Sequence, residues 1–551
     1  MLNEMLVSLL QAWIDLYLVN YKMWGAICGV SLMLMAFLRN TDYWAYFAVP
    51  ALLSFTISVP LFILLPEMTL ALSGRAVSFP TNHLYWLIGG IFMPLMVFVL
   101  FSNVGSRRQG RTDIRSVTET LPGGLQQDYD PTRYFNSGKG MFLGLNASKK
   151  PIYIPIADWR KSHCQVLGTT GCGKGVVAGV LLAQAVQQGE AAIVIDPKAD
   201  EFLPWVMASA AKEADVPFIY LDFLGKRAQW NPFLGKDAQE IEELLTAGLS
   251  MGDSGSDADF YRVEDRRVAR KFATFCSQRS APIQQQFVEF FAANSGLIDV
   301  AKKFYADLEE LVSSPVVQAS EGLDLSAMLQ VGAVIYVRGS TRNPRILKLQ
   351  KIFLLACMQA IEVRNRETAR HVVMFLDEFK YVLSRPAIEA LGAIRDKRAH
   401  VVVAHQSLGD LKDCGDDLTP EAVIGGVVEN CAIKIAYKVR DPATADWLSR
   451  LSGTMLYTEE SKSFTCTGHM GGEKVAQRTL RQAERPLVDI NQLLALPNRT
   501  AVCYGVGRAR FIYTSPIKIN KDANQIDVGG EELSQINPDP QSLAGSLLNV
   551  D

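Results

Sequence analysis

The chain has 551 residues, with 55 lysines and arginines against 57 aspartates and glutamates, and 49% of its residues are hydrophobic. This length is greater than that of a domain with a single hydrophobic core and predicts about three to four folding units. The nearly neutral net charge gives no overall electrostatic attraction for nucleic acid, so DNA binding cannot be argued from net charge. Nine cysteines without a CxxC pair and six histidines without zinc-ligand spacing predict neither a disulfide framework nor a zinc cluster.

The first hundred residues predict a membrane anchor. Met23–Leu38, Tyr43–Pro66 and Leu84–Ser106 carry no charge, and the last two reach the roughly 20 residues that a bilayer core requires. The first stretch is marginal, so both two and three spans remain open. No basic n-region or small-residue cleavage site is present, which predicts a retained anchor rather than a signal peptide. Arginines directly after the last span (Arg107, Arg108, Arg111 and Arg115) predict a cytoplasmic body, because positive flanks stay inside.

A phosphate-binding loop opens the body of the chain. An apolar run ending at Val166-Leu167 leads into GTTGCGKG at Gly168–Gly175, and an Ala/Leu/Val-rich helical stretch continues to Gln188. Strand, glycine-rich loop and helix form the context of a P-loop, in which backbone N–H groups surround phosphate oxygens and Lys174 neutralises them. Position 175 usually carries a hydroxyl for Mg²⁺ but is glycine here. The predicted nucleotide contacts are Gly168, Thr169, Thr170, Gly171, Cys172, Gly173, Lys174, Gly175 and Val176.

A second apolar strand ends in two carboxylates. His371–Glu378 reads HVVMFLDE, a pattern typical of a Walker B strand. Asp377 is predicted to hold Mg²⁺ through its water shell, and Glu378 to orient and deprotonate the attacking water. The alternative is that both are solvated acids that cap a helix. Together with the loop, the strand favours ATP and Mg²⁺ as cofactors.

Further apolar runs predict a parallel sheet covered on both faces. They are Ala191–Asp196, Pro217–Leu221, Ala333–Val337, His400–Ala404 and Ala432–Val439. The expected fold is a RecA-like, doubly wound α/β domain that binds nucleotide at the carboxyl ends of its strands. The predicted domains are a transmembrane anchor (1–106), a juxtamembrane linker with the first strands (107–150), a nucleotide-binding domain in two parts (151–234 and 323–519), an all-helical insert between them (235–322) and a flexible acidic tail (520–551).

Five separated motifs resemble the type IV coupling proteins of bacterial conjugation and secretion, the TraD/TraG-like family. They are HCQVLGTTGCGKGV around the P-loop, VIDPKAD (194–200), WNPF (230–233), FLDEF (375–379) and AHQS (404–407). Glycine at position 175 is familiar in that family. The resemblance implies that Gln406 senses the state of the nucleotide. It also implies that Arg395 reaches the γ-phosphate of a neighbouring subunit, with Arg398 and Arg440 as rivals.

The resemblance implies a hexameric ATPase on the bacterial inner membrane, multi-pass, with its ATPase body in the cytoplasm. Such a motor drives single-stranded DNA with its attached relaxase toward a type IV secretion channel. The expected partners are DNA without sequence preference, relaxosome proteins, the inner-membrane components of the secretion system and further copies of the chain. Three alternatives stay open: an FtsK-like DNA translocase, a non-hydrolysing adaptor that recruits secretion substrates, and a motor for protein effectors without DNA.

Overall fold

The computed structural model describes residues 128–252, 258–415, 418–467 and 472–519, with scattered positions among the first 34. The chain divides into two compact units, Met1–Leu121 and Pro122–Asp551, and the elements below belong to the second. Among the described residues, no helix is both long and apolar enough to cross a membrane. The predicted spans 43–66 and 84–106 and the tail 520–551 lie outside the described residues, as does most of 23–38.

Strands and helices alternate through most of the second unit. The strands are β1 (Met141–Leu145), β2 (Pro151–Ile154), β3 (Cys164–Leu167), β4 (Ala191–Asp196), β5 (Phe218–Asp222), β6 (Val334–Arg338), β7 (Val372–Leu376), β8 (Ala399–His405), β9 (Ile433–Ala436), β10 (Thr454–Thr467), β11 (Gly472–Pro486), β12 (Thr500–Tyr504) and β13 (Arg510–Tyr513). The α-helices are α1 (Ile156–Lys161), α2 (Lys174–Gln187), α3 (Leu203–Glu213), α4 (Ala238–Gly248), α5 (Ala258–Cys276), α6 (Ile283–Ala293), α7 (Gly296–Val300), α8 (Lys302–Val312), α9 (Leu325–Val331), α10 (Pro344–Glu362), α11 (Arg385–Ala393), α12 (Pro420–Asn430), α13 (Pro442–Leu451) and α14 (Ile490–Ala495). Short 3-10 helices lie at Pro131–Tyr134, Pro315–Val317, Phe379–Tyr381, Ile394–Lys397 and Leu408–Lys412.

Eleven strands form one sheet in the order β2-β1-β13-β12-β9-β3-β8-β7-β4-β6-β5. The seven from β9 to β5 pair in parallel. The other four extend that sheet in antiparallel pairing. The mostly parallel α/β sheet predicted from the apolar runs is therefore confirmed. The P-loop strand β3 lies in the interior, directly beside β8 and one strand from β7.

Side chains alternate between two cores because neighbouring residues of a strand point to opposite faces. In β4, Ile193 and Ile195 pack into the core that contains α4 to α6 and α10, whereas Ala192 and Val194 pack against α2 and α3. All four side chains are completely buried. Burial on both faces explains why these strands read as unbroken apolar runs rather than as alternating ones.

Within the described residues, the chain between β5 and β6 contains helices and no strands, from α4 to α9. The predicted helical insert 235–322 covers this segment up to the start of α9. An aromatic group centred on Phe272 holds the helices together, with Phe290, Phe291 and Phe304 at centroid distances of 5.2, 6.4 and 6.3 Å. This layer packs on the sheet through α10, because α4 contacts α10 closely: a Cβ added at Gly248 would meet Ile352 at 2.3 Å.

Two features differ from the sequence prediction. The predicted strand 432–439 is too long, since β9 ends at Ala436. Tyr437 and Val439 lie after the end of the strand, in a segment whose packing buries both side chains. An apolar run in the sequence does not distinguish a strand from such a buried loop. The long antiparallel hairpin of β10 and β11 is a separate two-stranded sheet. Its polar, charged sequence gave no apolar signal, so the sequence did not predict it.

Candidate nucleotide-binding site

The P-loop connects β3 to α2 through three glycines with positive φ angles. They are Gly168 at 147°, Gly171 at 77° and Gly173 at 125°, values that side chains other than glycine rarely adopt. A Cβ at Gly168 would also lie 2.7 Å from Cys172 Sγ and from Tyr437 Cβ. No side chain caps the start of α2, so its first N–H groups remain available for phosphate oxygens.

Lys174 is the first residue of α2, and its side chain folds back over the loop. Its Nζ donates hydrogen bonds to the carbonyl oxygens of Gly168 at 2.5 Å and Thr169 at 3.3 Å. Burial lowers the pKa of Lys174 and the Lys198 ammonium lowers it further, while Glu378 and Asp377 act in the opposite direction. Lys174 is therefore a buried cation poised between loop carbonyls and two carboxylates.

The two Walker B carboxylates differ in environment. Burial raises the pKa of Asp377 to about 6, and Asp196 and Glu378 add to this increase against the opposing effect of Lys198. Burial would raise the pKa of Glu378 as well, but ion pairing with Lys198 and the field of Lys174 lower it below its usual value. Glu378 adopts left-handed backbone angles, φ 44° and ψ 60°, a strained conformation that is typical of functional sites. Glu378 is thus held as an anion.

Lys198 and Gln406 hold Glu378 from two neighbouring loops. The Lys198 ammonium forms an ion pair with the Glu378 carboxylate, whose side chain is only 3% exposed. Gln406 Nε2 donates a hydrogen bond to Glu378 Oε1 at 3.3 Å, and the Gln406 backbone N–H donates to Asp410 Oδ2 at 2.7 Å. The predicted residue Gln406 therefore contacts the predicted base directly.

The loop after β4 is organised by Asp196. Its carboxylate accepts hydrogen bonds from the backbone N–H groups of Lys198 at 2.9 Å and Asp200 at 2.6 Å. The Tyr336 hydroxyl donates a third at 2.5 Å from the neighbouring strand β6. Burial raises the pKa of Asp196, although these three donors oppose that increase. The turn that results carries both Lys198 and Asp200 to the edge of the P-loop.

These elements enclose a cleft with a volume of about 490 Å³, a size common for small-ligand sites. One wall is polar and consists of the P-loop with Lys198, Asp200 and Asp377. The other is apolar and is lined by Val176, Gly179, Phe202, Leu203, Val206, Pro516 and Ile517. A phosphate chain fits the first wall by charge, and a flat base fits the second by apolar contact.

The structure brings most of the predicted site residues together. Of the predicted nucleotide contacts, Thr170, Gly171, Gly173, Lys174, Gly175 and Val176 line the cleft. Gly168, Thr169 and Cys172 form the adjoining part of the loop and do not line it. Asp377 lines the cleft and Glu378 lies buried beside it. The roles assigned to these residues stay predictions.

The three candidate arginines lie on the surface, away from this cleft's lining. Arg395 and Arg398 precede β8 and so stand at the amino edge of the sheet, whereas Arg440 follows β9 at the carboxyl edge. Arg398 donates a hydrogen bond to the Ala369 carbonyl oxygen at 3.1 Å. A residue that acts on a neighbouring subunit must be exposed, and all three satisfy that condition. The choice of Arg395 stays a prediction.

Sequence reasoning missed Lys198, Asp200 and the C-terminal wall of the cleft. The first two belong to VIDPKAD, which carried the family resemblance, and charged residues at the end of a buried strand were the available signal. Pro516 and Ile517 follow the last strand β13 and gave no signal of their own. Arg499 also contacts the P-loop, since its backbone N–H donates a hydrogen bond to the Cys172 carbonyl oxygen at 2.7 Å.

Two family models match parts of the chain. Residues 371–498 match the TraM recognition site of TraD and TraG, and residues 140–204 match the central domain of the helicase HerA. Mobilization protein A of Escherichia coli is 28% identical over 363 residues, which cover 64% of this chain. The match spans 66% of that protein's own length, just under two thirds.

The fold is similar to that of a bacterial conjugative coupling protein, TrwB. The unbound monoclinic form of TrwBdeltaN70 superposes with a TM-score of 0.53 at 14% identity, over 71% of this chain and 92% of that one. TrwB in complex with ADP and Mg²⁺ gives a TM-score of 0.51 at 15% identity, over 70% and 91%. At this identity the likeness establishes the fold alone. With the family models and the Escherichia coli relative, it confirms the predicted resemblance of this chain to the conjugative coupling proteins of the TraD/TraG type.

Proposed function

We propose that the chain is the ATP-hydrolysing coupling protein of a conjugative DNA-transfer system. The observation that carries this proposal is the convergence of Lys174, Asp377 and Glu378 at one cleft, from the P-loop and from the strand two positions away in the sheet. Apolar side chains complete the lining of the same cleft. The resemblance to coupling proteins then selects conjugation among the many uses of a P-loop.

The residues divide the chemistry among them. The first N–H groups of α2 and the Lys174 ammonium hold the β- and γ-phosphates. Asp377 at the strand end would hold Mg²⁺ through water, and the bound cation would supply positive charge to the phosphates. This role requires Asp377 to be ionised, which a pKa of about 6 allows at neutral pH.

Glu378 serves as the general base for the attacking water. Its pKa is lowered, so it is ionised and able to accept a proton at neutral pH. Lys198 and Gln406 fix the position of its carboxylate. An arginine from the next subunit, Arg395 with Arg398 and Arg440 as rivals, stabilises the charge of the transition state and contributes about 10³ to 10⁵ in rate.

The ring, the membrane and the cargo extend the proposal beyond the cleft. Six copies of the chain assemble on the bacterial inner membrane, anchored by two or three apolar spans between residues 23 and 106 and with the ATPase body in the cytoplasm. The ring moves a DNA strand and its linked relaxase to the type IV secretion channel. It grips DNA through backbone phosphates rather than base edges. Support comes from the coupling-protein resemblance and from the uncharged apolar stretches 23–38, 43–66 and 84–106.

ATP hydrolysis by the full-length chain in detergent, with and without single-stranded DNA, tests the proposal. We expect DNA to raise the rate and Lys174→Ala to lower it at least about 100-fold, because the phosphate charge loses its buried counterion. Lys212→Ala, an exposed lysine on α3, is the control and should retain the rate. Hydrolysis that survives Lys174→Ala would overturn the site. A rate raised by relaxase alone and not by DNA would favour protein cargo.

A further inference from the structure

Gly175 occupies the P-loop position that usually carries a serine or threonine hydroxyl, and the carboxylate of Asp200 lies beside it. Gly175 is the second residue of α2 and lines the cleft. A Cβ at this position would meet Asp200 Oδ2 at 3.4 Å. Asp200 comes from the loop after β4 and lines the same cleft. Its oxygen therefore borders the space that a serine or threonine side chain at position 175 would enter.

Asp200 is firmly held through one of its two carboxylate oxygens. Oδ1 accepts hydrogen bonds from the backbone N–H groups of Phe202 at 2.7 Å and Leu203 at 2.8 Å. The Asp200 backbone N–H is itself bound to Asp196. Oδ2 accepts no hydrogen bond from the described residues. An asparagine Oδ1 accepts backbone hydrogen bonds as an aspartate Oδ1 does, so the turn before α3 explains the contacts of Oδ1 but does not require a negative charge.

We propose that Asp200 replaces the missing hydroxyl and binds Mg²⁺, directly or through one water, when the magnesium nucleotide occupies the cleft. This inference rests on the proposed function of the site. Magnesium in nucleotide sites is bound through one or two carboxylates, the phosphates and several waters. Asp200 and Asp377 are two such carboxylates on the wall of one cleft. No group of three or more metal-ligating side chains occurs among the described residues, so the phosphates must complete the site.

The negative charge of Asp200 should have opposite effects on ADP affinity in the absence and in the presence of Mg²⁺. Without Mg²⁺, an anion beside the loop repels the phosphates and weakens nucleotide binding. With Mg²⁺, the same anion attracts the cation that bridges it to the phosphates. Removing the charge must therefore strengthen ADP binding in the absence of Mg²⁺ and weaken it in the presence of Mg²⁺. A residue that only shapes its loop would shift both affinities in the same direction.

Calorimetric titration of ADP into the full-length chain, in EDTA and in Mg²⁺, tests this reversal. We expect Asp200→Asn, which keeps the Oδ1 acceptor, to reduce the Mg²⁺-dependent gain in ADP affinity about tenfold, with opposite shifts under the two conditions. Gly175→Ser added to Asp200→Asn should restore at least half of that gain. Asp324→Asn is the matched control, because the Asp324 carboxylate also accepts a hydrogen bond from a backbone N–H at the start of a helix, that of Ala327 in α9, and does not line the cleft.

The wild-type titration separates the two ideas. A wild type that binds ADP neither in EDTA nor in Mg²⁺ would overturn the proposed nucleotide site itself, whereas ADP binding without any Mg²⁺-dependent gain would overturn the metal role of Asp200. A wild-type gain that Asp200→Asn leaves unchanged would overturn only the role of Asp200. The same holds if the affinity falls equally in EDTA and in Mg²⁺, or if Gly175→Ser restores nothing, because Asp200 would then act through the shape of its loop.

Discussion

Ionisable side chains gather at both edges of the parallel sheet, but in opposite settings. At the carboxyl edge, Lys174, Lys198 and Asp377 line an open cleft. At the amino edge, Arg160, Glu190, His163, His371 and His400 form a second group, which we call the amino-edge cluster. None of these five residues lines the cleft at the carboxyl edge, and three of them are at most 1% exposed.

The partners of the amino-edge cluster are fixed. Arg160 Nε donates to Glu190 Oε1 at 2.7 Å, and His400 Nε2 lies 4.0 Å from Glu190 Oε2. His371 Nε2 and His400 Nδ1 are hydrogen-bonded at 3.2 Å. Burial lowers the pKa of His371 to about 4 and that of His400 well below its usual range, and it raises the pKa of Glu190 to about 7. A perturbed pKa therefore does not identify a functional site unless the group also faces a space that a ligand can enter.

The sharpest test of this contrast is Glu378→Gln at the carboxyl edge. We expect the hydrolysis rate to fall about 10² to 10⁴-fold, because glutamine cannot accept the proton of the attacking water. ADP affinity should change little, since the phosphate contacts of the P-loop remain. Steady-state hydrolysis and calorimetry measure the two quantities. Glu367→Gln, an exposed glutamate before β7, should retain both, and a Glu378→Gln protein that still hydrolyses ATP would remove Glu378 from the mechanism.

The matching change at the amino edge is Arg160→Met, and we expect it to affect stability only. It leaves Glu190 buried without its partner, which costs about 3 kcal/mol, at the lower end of the range because the Arg160 side chain is 34% exposed. Urea denaturation measures the loss, and ADP affinity should stay unchanged. Arg133→Met removes an arginine whose side chain is 80% exposed and should be neutral.

A second substitution makes that stability prediction stricter. Replacing Glu190 by leucine in the Arg160→Met protein should recover most of the lost stability, because no unpaired buried charge remains. A double variant as unstable as Arg160→Met would show that packing, not the unpaired carboxylate, causes the loss. A drop in ADP affinity in either variant would mean that the two edges are coupled.

The amino-edge cluster also predicts a fall in stability as the pH decreases. The pKa of His371 is about 4 in the folded chain against about 6.5 when unfolded, so its contribution is present above pH 6.5 and is lost as the pH falls toward 4. Glu190 opposes this, because its raised pKa favours the folded state below about pH 4.5 and that advantage disappears as the pH rises through 7. His400 and His405 act in the same direction as His371, so the histidines dominate.

We expect the free energy of unfolding to decrease by about 2 kcal/mol between pH 7 and pH 5, from these pKa shifts at about 1.4 kcal/mol per unit. Urea denaturation at the two pH values measures the decrease. His371→Asn should reduce it, because asparagine does not titrate. An equal decrease in wild type and His371→Asn would show that His371 does not contribute.

The sequence predicted the sheet and the phosphate side of the cleft because both are local patterns. β4 coincides with the predicted strand Ala191–Asp196, because a strand that is buried on both faces has an unbroken run of apolar residues in its sequence. Gly168–Gly175 and Asp377-Glu378 were found because a glycine loop before a helix and acids after a strand each have a chemical reason.

The remainder depends on contacts between distant segments. Lys198 and Glu378 are separated by about 180 residues in the sequence, and only the parallel pairing of β4 with β7 brings them together. Pro516 and Ile517 reach the cleft because β12 and β13 fold back on the antiparallel edge of the sheet. Neither contact has a pattern within a short window of sequence, so neither could be predicted from one chain.

The smallest effect that we predict tests the residue that sequence reasoning overlooked. Lys198→Met removes the cation paired with Glu378, so burial of Glu378 is no longer balanced and its pKa must rise. We expect the rate at neutral pH to fall about tenfold and the acid limb of the pH–rate profile to move to higher pH. Lys212→Met on the exposed side of α3 should change neither. A lower rate with an unmoved acid limb would mean that Lys198 acts on the phosphates rather than on Glu378, and the carboxyl edge would then contain two phosphate-binding lysines.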